Sequence, residues 1–326
     1  MLKHNISQPF YSKIMLFGEY SIIRGSMALT IPYSHFSGAL KFINSNQYTD
    51  LDFARRSNGM LREYYDLHIK KLFPNKKNLK SFDYKSFDQD ISDGLYFESS
   101  IPEGYGLGSS GALVASIYDR YASKKKSYDL TDYNEVDIKN IKADLAILES
   151  WFHGTSSGID PLICYMRHPF LIKEQETIIP INIPRYSLST DAAIFLVNSG
   201  KPVKTAPLVD KFMDDCKDET YKKAIDEVYI PLNNSCIISL LDTDIVEFES
   251  NLKELSKFQM EHFKNMIPAS LSDLWREGVE SSDFVLKLCG AGGGGYILGF
   301  THHYEKAKNR FLDNGFEIIP VYQNNK

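Results

Sequence analysis

The chain has 326 residues, enough for one large domain or two and for a sizeable buried core. Apolar residues make up 43% of it and charged residues 24%, a balance that excludes a disordered or fibrous chain. The net charge of −5 offers no general attraction to nucleic acid or to an anionic membrane, and no apolar run approaches the ~18 residues of a membrane span.

The opening segment MLKHNISQPFYSKIMLF has a brief apolar run and no secretory pattern. The cysteines, Cys164, Cys216, Cys236 and Cys289, show no C-x-x-C spacing, so reduced thiols in a cytoplasmic protein are expected. In chain order, KIMLF reads as a strand, followed by a turn at Gly18 and the short apolar run SII. GALKFI and DGLYFESSI read as further strands from their alternation and β-formers. Between them, Leu61, Tyr64, Tyr65 and His68 predict a helix over 58–71. A glycine-rich stretch then opens a helix whose stripe is Ala112, Leu113, Ile117, Tyr118 and Tyr121. Lys124, Lys125 and Lys126 follow at the negative end of its dipole; with acidic residues close by they read as a solvated helix end rather than a polyanion site. A second helix, over 136–151, carries Ile138, Ile141, Leu145 and Leu148 and stops near Gly154.

A composition change in INIPRYSLSTD predicts a domain boundary, giving domains 1–186 and 187–326. Beyond it come strand AAIFLV, several helices over 207–279, strand FVLKL, a glycine loop, strand YILGF, a helix over 303–312 and strand FEIIPVY. That is the order of a ferredoxin-like split βαβ unit with an enlarged first crossover.

Three polar clusters carry candidate chemistry. In PEGYGLGSSGALVAS, the glycines end abruptly where a helix begins, and free backbone N–H groups at a helix start form an anion site. Ser109 and Ser110 can cap that helix, or one hydroxyl can turn to a metal ion. A plain capped helix is the alternative. Gly106, Gly108 and Gly111 also satisfy G-x-G-x-x-G, but Asp129, where a dinucleotide site needs an acid, does not end a buried strand. No Walker Gly-Lys-Ser/Thr follows. The second cluster, GAGGGG, has five glycines in six positions and suits a loop lying against another loop or a ligand. The third, LESWFHGTSSGID, sets Glu149 and Asp160 on either side of a polar turn with His153. Two such carboxylates can hold a metal and steer or deprotonate a hydroxyl, although each alone reads more readily as an exposed helix residue (Glu149) or a cap or turn residue (Asp160).

Together the clusters resemble the GHMP kinase superfamily. SKIMLFGEYSIIRG is similar to its first motif, PEGYGLGSSGA to its phosphate loop and KLCGAGGGG to its third motif, in order and across both halves of the chain. Within the superfamily, ESWFHGTSSGID resembles the mevalonate kinase pattern E-x-x-x-H-G-x-P-S-G-x-D, with eleven positions from Glu149 to Asp160. NSGKPVKTAPLV resembles that family's segment beside the substrate. The resemblance implies an α+β, two-domain GHMP kinase fold, with an N-terminal ATP-binding domain like domain 2 of ribosomal protein S5 and a ferredoxin-like C-terminal domain. It implies ATP and Mg²⁺ as cofactors and a small-molecule alcohol, mevalonate first, as substrate; a homodimer is left open. The roles it implies are catalytic for Lys13 and Asp160, and metal-holding for Ser110 and Glu149. Nucleotide contacts are implied for Gly104, Gly106, Leu107, Gly108, Ser109, Ser110, Gly111 and Glu19. The loop at Ala291, Gly292 and Gly293 is expected to pack onto the phosphate loop, and Tyr20, His153 and Thr205 to border the alcohol. Departures are Phe10, Tyr11 and Ser12 before Lys13, Tyr20 for a histidine, Ser156 for a proline, and a missing glycine pair after Asp160. They bear on substrate identity. The alternatives are a kinase of phosphomevalonate, homoserine or a sugar, or a non-catalytic nucleotide sensor, although a sensor has no need of Lys13, Ser110, Glu149 and Asp160 together.

Overall fold

The computed structural model describes residues 8–43, 50–72, 79, 82–122, 130–173, 177–184 and 191–323. Close packing divides these residues between two units interleaved along the chain. The first draws on Met1–Lys13, Pro32–Pro102 and Gly108–His168, the second on Ile14–Ile31, Glu103–Leu107 and Pro169–Lys326. The boundary expected at 186/187, the lysine run at 124–126 and Asp129 lie outside the described residues.

The first unit holds the start of β1 (Phe10–Phe17) and most of β2 (Ala28–Phe42). GALKFI is only the end of β2. The strand begins already at Ala28, because Thr30, Ile31, Tyr33 and Phe36 are strand formers that the interruption at Pro32 obscures. The helix expected from residue 58 also begins earlier, as α1 (Leu51–Tyr64), since the Asp50 carboxylate accepts the Phe53 N–H at 3.0 Å. It buries Ala54, Ser57, Leu61 and Tyr64, widens into a π-helical turn over Tyr65–Ile69, and ends in α2 (Lys70–Leu72). Next come α3 (Tyr84–Ser92), capped by Asp83, and β3 (Leu95–Ser99), antiparallel to β2 with Gly38 opposite Ser99. The Ser57 hydroxyl fastens α1 to β3, donating to the Phe97 carbonyl at 3.0 Å and accepting its N–H at 2.9 Å.

Three helices then form the middle of this unit. In α4 (Ser109–Tyr121) every residue from Gly111 to Tyr118 is buried, so the helix runs inside the unit rather than over it. Each large aliphatic side chain sealed there contributes about 1.5–3 kcal/mol. α5 (Glu135–His153) starts in a capping box of Asn134 and Asp137 and stops at Gly154, φ 72°. α6 (Ile159–Met166), which PLICYM does not announce as a helix, packs against both α4 and α5 and tolerates Pro161 because it lies in the first turn.

In the second unit, SII forms a 3₁₀ turn over Ser21–Arg24, closed by Gly25 at φ 89°. Ala28–Thr30 pair with β4 (Phe170–Lys173), which pairs with β5 (Thr177–Pro180). The remaining elements are β6 (Ala193–Asn198), α7 (Thr205–Asp215), α8 (Glu219–Ala224), α9 (Ile230–Leu241), α10 (Ile245–His262) and α11 (Ser272–Ser281). They end with β7 (Phe284–Leu288), β8 (Tyr296–Thr301), α12 (Tyr304–Asp313) and β9 (Ile318–Gln323). The strands make an antiparallel sheet in the order β7-β8-β6-β9, as a ferredoxin-like split βαβ unit requires. Phe195, Leu196, Val197, Leu286, Leu288, Ile297 and Leu298 fill its core.

Candidate active site

The site in the first unit begins with a glycine. Gly108 sits at φ 75° as the N-cap of α4, and a Cβ there would lie 2.8 Å from Lys13 Cγ. Only glycine lets the backbone turn left-handed with the lysine stem against it. Of the two roles open to Ser109 and Ser110, the helix cap is not taken up: Gly108 is the N-cap and no side chain caps the helix. Among the described residues, the amides of Ser109, Ser110 and Gly111 find no backbone or side-chain acceptor, so the positive end of α4 stays open to an anion. The Ser110 hydroxyl lies 3.3 Å from Glu149 Oε1 and 3.1 Å from His153 Nε2.

A second glycine-capped helix meets the first. Gly158, φ 72°, caps α6, and a Cβ on Gly111 would stand 3.0 Å from the Asp160 carbonyl carbon and the Pro161 nitrogen. The two helix starts therefore touch backbone to backbone. Asp160, in the first turn of α6, is ion-paired to Lys13, Nζ to Oδ2 3.0 Å. The lysine side chain is 6% exposed and the aspartate's 34%, so the pair is closed on its ammonium side and open on its carboxylate side. Glu149 is no surface residue. It is buried within α5, and its pKa is pushed up to about 7, by burial first and then by the charge of Asp160. Hydrogen bonds from Ser156 and Ser110 and the charge of Lys13 oppose that rise. The first unit thus brings together Lys13, Gly108, Ser109, Ser110, Gly111, Glu149, His153 and Asp160.

The second unit holds the other candidates. Glu19 is buried and ion-paired with Lys287 at 2.7 Å. The Tyr20 hydroxyl donates to the Ala291 carbonyl, and its ring lies 4.9 and 5.5 Å, centre to centre, from Phe212 and Phe263. Burial raises its pKa well beyond the ordinary phenol range. The glycine loops meet through their backbones: a Cβ on Gly106 would stand 3.1 Å from the Cys289 carbonyl oxygen, and one on Gly295 2.8 Å from Tyr105 Cα. Gly104 accepts the Val203 N–H, Leu107 is buried, and the Gly293 N–H reaches the Met266 carbonyl. Gly292 is buried beside it, and Thr205 is exposed as the first residue of α7.

Two site residues escape a reading of the sequence. Ser156 donates to Glu149 Oε2 at 2.5 Å across the helix stop, a contact that residue spacing does not announce. Lys287 has a signal: a lone lysine inside the apolar strand FVLKL must bury a charge and needs a partner.

A magnesium-type cation takes one or two protein oxygens and completes its shell with phosphate and water. Ser110 Oγ and Glu149 Oε1 supply a hydroxyl and a buried carboxylate of that kind. Among the described residues no group of three or more His, Cys, Asp or Glu could hold a metal. The donors fit a cation shared with a phosphate, not one caged by protein alone.

Comparison with known proteins points to small-molecule kinases. Residues 69–168 match the family described as GHMP kinases N terminal domain. A mevalonate kinase of Archaeoglobus fulgidus is 26% identical over 318 residues, covering 92% of this chain and 93% of the relative. In fold, the chain is similar to the L. major mevalonate kinase in complex with R-mevalonate, with TM-score 0.63, 14% identity, and 96% and 94% of the two chains covered. The Streptococcus pneumoniae phosphomevalonate kinase in complex with phosphomevalonate and AMPPNP gives 0.62, 15%, 96% and 99%. No helix among the described residues is long and apolar enough to cross a membrane. Residues 69–168 are thus similar to the N-terminal domain of GHMP kinases, the chain is similar to a mevalonate kinase over nearly its whole length, and these matches support an alcohol phosphotransferase.

Proposed function

We propose that this chain transfers the γ-phosphoryl group of ATP to the primary hydroxyl of mevalonate, giving 5-phosphomevalonate. The observation that carries the chemistry is the Lys13–Asp160 pair beside the open helix start of α4. Phosphoryl transfer asks for positioning and charge neutralisation more than for covalent help. The amides of Ser109, Ser110 and Gly111, with the dipole of α4 behind them, bind phosphate oxygens. Ser110 and Glu149 hold Mg²⁺, which when bound offsets the negative charge of the phosphates. Asp160 orients the alcohol and accepts its proton as the oxygen–phosphorus bond forms and the bond to the ADP oxygen breaks. Lys13 keeps Asp160 ionised and offsets charge that builds on the transferring group.

The choice of mevalonate is supported by the Archaeoglobus fulgidus relative and the neighbour holding R-mevalonate. Fold likeness does not separate it from phosphomevalonate, since that kinase is about as similar. An ATP-dependent assay over mevalonate, phosphomevalonate, homoserine and galactose, with products read by mass, decides between them. Mevalonate is expected to react fastest. A different preferred alcohol replaces the substrate and leaves the chemistry intact; nucleotide binding without transfer to any of them favours a sensor.

A further inference from the structure

We propose that Ser156 is a positioning residue for Glu149, fixing the carboxylate so that Oε1 stays beside Ser110 and faces a divalent cation. This rests on Glu149 as a magnesium ligand. Both carboxylate oxygens are engaged by a serine, Oε1 by Ser110 at 3.3 Å and Oε2 by Ser156 at 2.5 Å. The direction of the second bond is set by its neighbour. The Gly158 N–H donates to Ser156 Oγ at 2.9 Å, which leaves the serine's own proton for the carboxylate, a group that only accepts when ionised. Glu149 is 3% exposed, so water does not replace that donor easily. The turn that carries Ser156 is itself pinned, because Gly158 sits at φ 72° with room for no Cβ: one there would come within 2.3 Å of the Lys142 carbonyl oxygen. A charge-assisted hydrogen bond from a fixed turn restrains the carboxylate's rotation. Partners that orient metal ligands in this way commonly set metal affinity by about 10–100-fold. A proline at this position, as in the motif that ESWFHGTSSGID resembles, has no proton to give, so the restraint belongs to this sequence.

The test is calorimetric titration of the full chain with ADP, with and without Mg²⁺ and with no alcohol present. For Ser156→Ala, the gain in ADP affinity that Mg²⁺ brings should fall by ~10-fold, while the metal-free affinity stays at its wild-type value. Ser156→Thr should restore the gain. In turnover, the KM for MgATP should rise more than kcat falls. Glu149→Gln, run alongside, separates the outcomes. If it abolishes the magnesium-dependent gain while Ser156→Ala keeps all of it, the role of Ser156 is overturned and Glu149 stands. If Glu149→Gln keeps the gain as well, the metal assignment fails and the proposal with it. Should Ser156→Ala not fold, Ser156→Cys, nearly isosteric but a weak donor, is read the same way.

Discussion

Two lysine–carboxylate pairs of this chain have nearly the same length and opposite settings. Lys287 and Glu19 meet at 2.7 Å with side chains 0% and 1% exposed; the ammonium also donates to the Leu288 carbonyl and lies 5.3 Å from the centre of the Phe17 ring. Lys13 and Asp160 meet at 3.0 Å, but a third of the aspartate faces outward. A sealed pair has no surface to offer a substrate, and breaking it strands a charge away from water. A pair sealed on one side only can hold a carboxylate ionised and still present it. The difference separates a structural pair from the one proposed to carry the chemistry.

The largest effect should come from the sealed pair. Lys287→Met removes the ammonium that pairs with the buried Glu19 and should cost about 3–5 kcal/mol, read from the denaturant midpoint. An unchanged midpoint would break the contrast. Next, Asp160→Asn should cut turnover by ~100-fold or more with a near wild-type thermal midpoint. Turnover that survives removes Asp160 from the reaction. Lys13→Met should lower kcat by about 10–100-fold and spare stability, since Asp160 is open enough to regain water. A collapse of stability there would mean that the two pairs are alike. Gly111→Ala sharpens the geometry: with backbone of Asp160 and Pro161 at 3.0 Å, the added methyl must part the two helix starts, costing about 1–3 kcal/mol and lowering turnover together.

The smallest effect lies outside both pairs. His68, half-buried beside Tyr64 and Trp151, has its pKa lowered from 6.5, by burial first and by Lys71 in addition, with a hydrogen bond to the Ile147 carbonyl opposing. Folding holds it neutral, so the unfolded chain takes up its proton first as pH falls. Its contribution is therefore present above about pH 6.5 and lost below it. His68→Gln should flatten the stability profile there, and a slope that persists assigns the effect elsewhere.

Much of the fold was legible along the chain. The stripe Ala112, Leu113, Ile117, Tyr118 and Tyr121 is buried in α4, though the helix is buried on its other faces as well from Gly111 to Tyr118, and the strand–helix alternation beyond Ala193 gave the ferredoxin-like order. Less legible were the start of α1, where a cap outweighed a polar first turn, and α6, a short helix whose apolar run has no periodicity to show. Of the site, residue types and spacing marked Glu149 and Asp160 as candidates, but each alone read more readily as an ordinary surface or turn carboxylate.

The sequence by itself determined where glycine permits left-handed turns, which faces are apolar, and which side chains carry chemistry, because these depend on covalent structure and local conformation. Only the tertiary structure decided that Glu149 is buried, that Ser156 bonds to it, and that one lysine–carboxylate pair is sealed and the other open. Exposure and partnership are set by residues distant in the chain: Lys13 reaches Asp160, and Glu19 reaches Lys287, through packing that no local pattern encodes. The energy of a charge depends on that surrounding more than on its own identity.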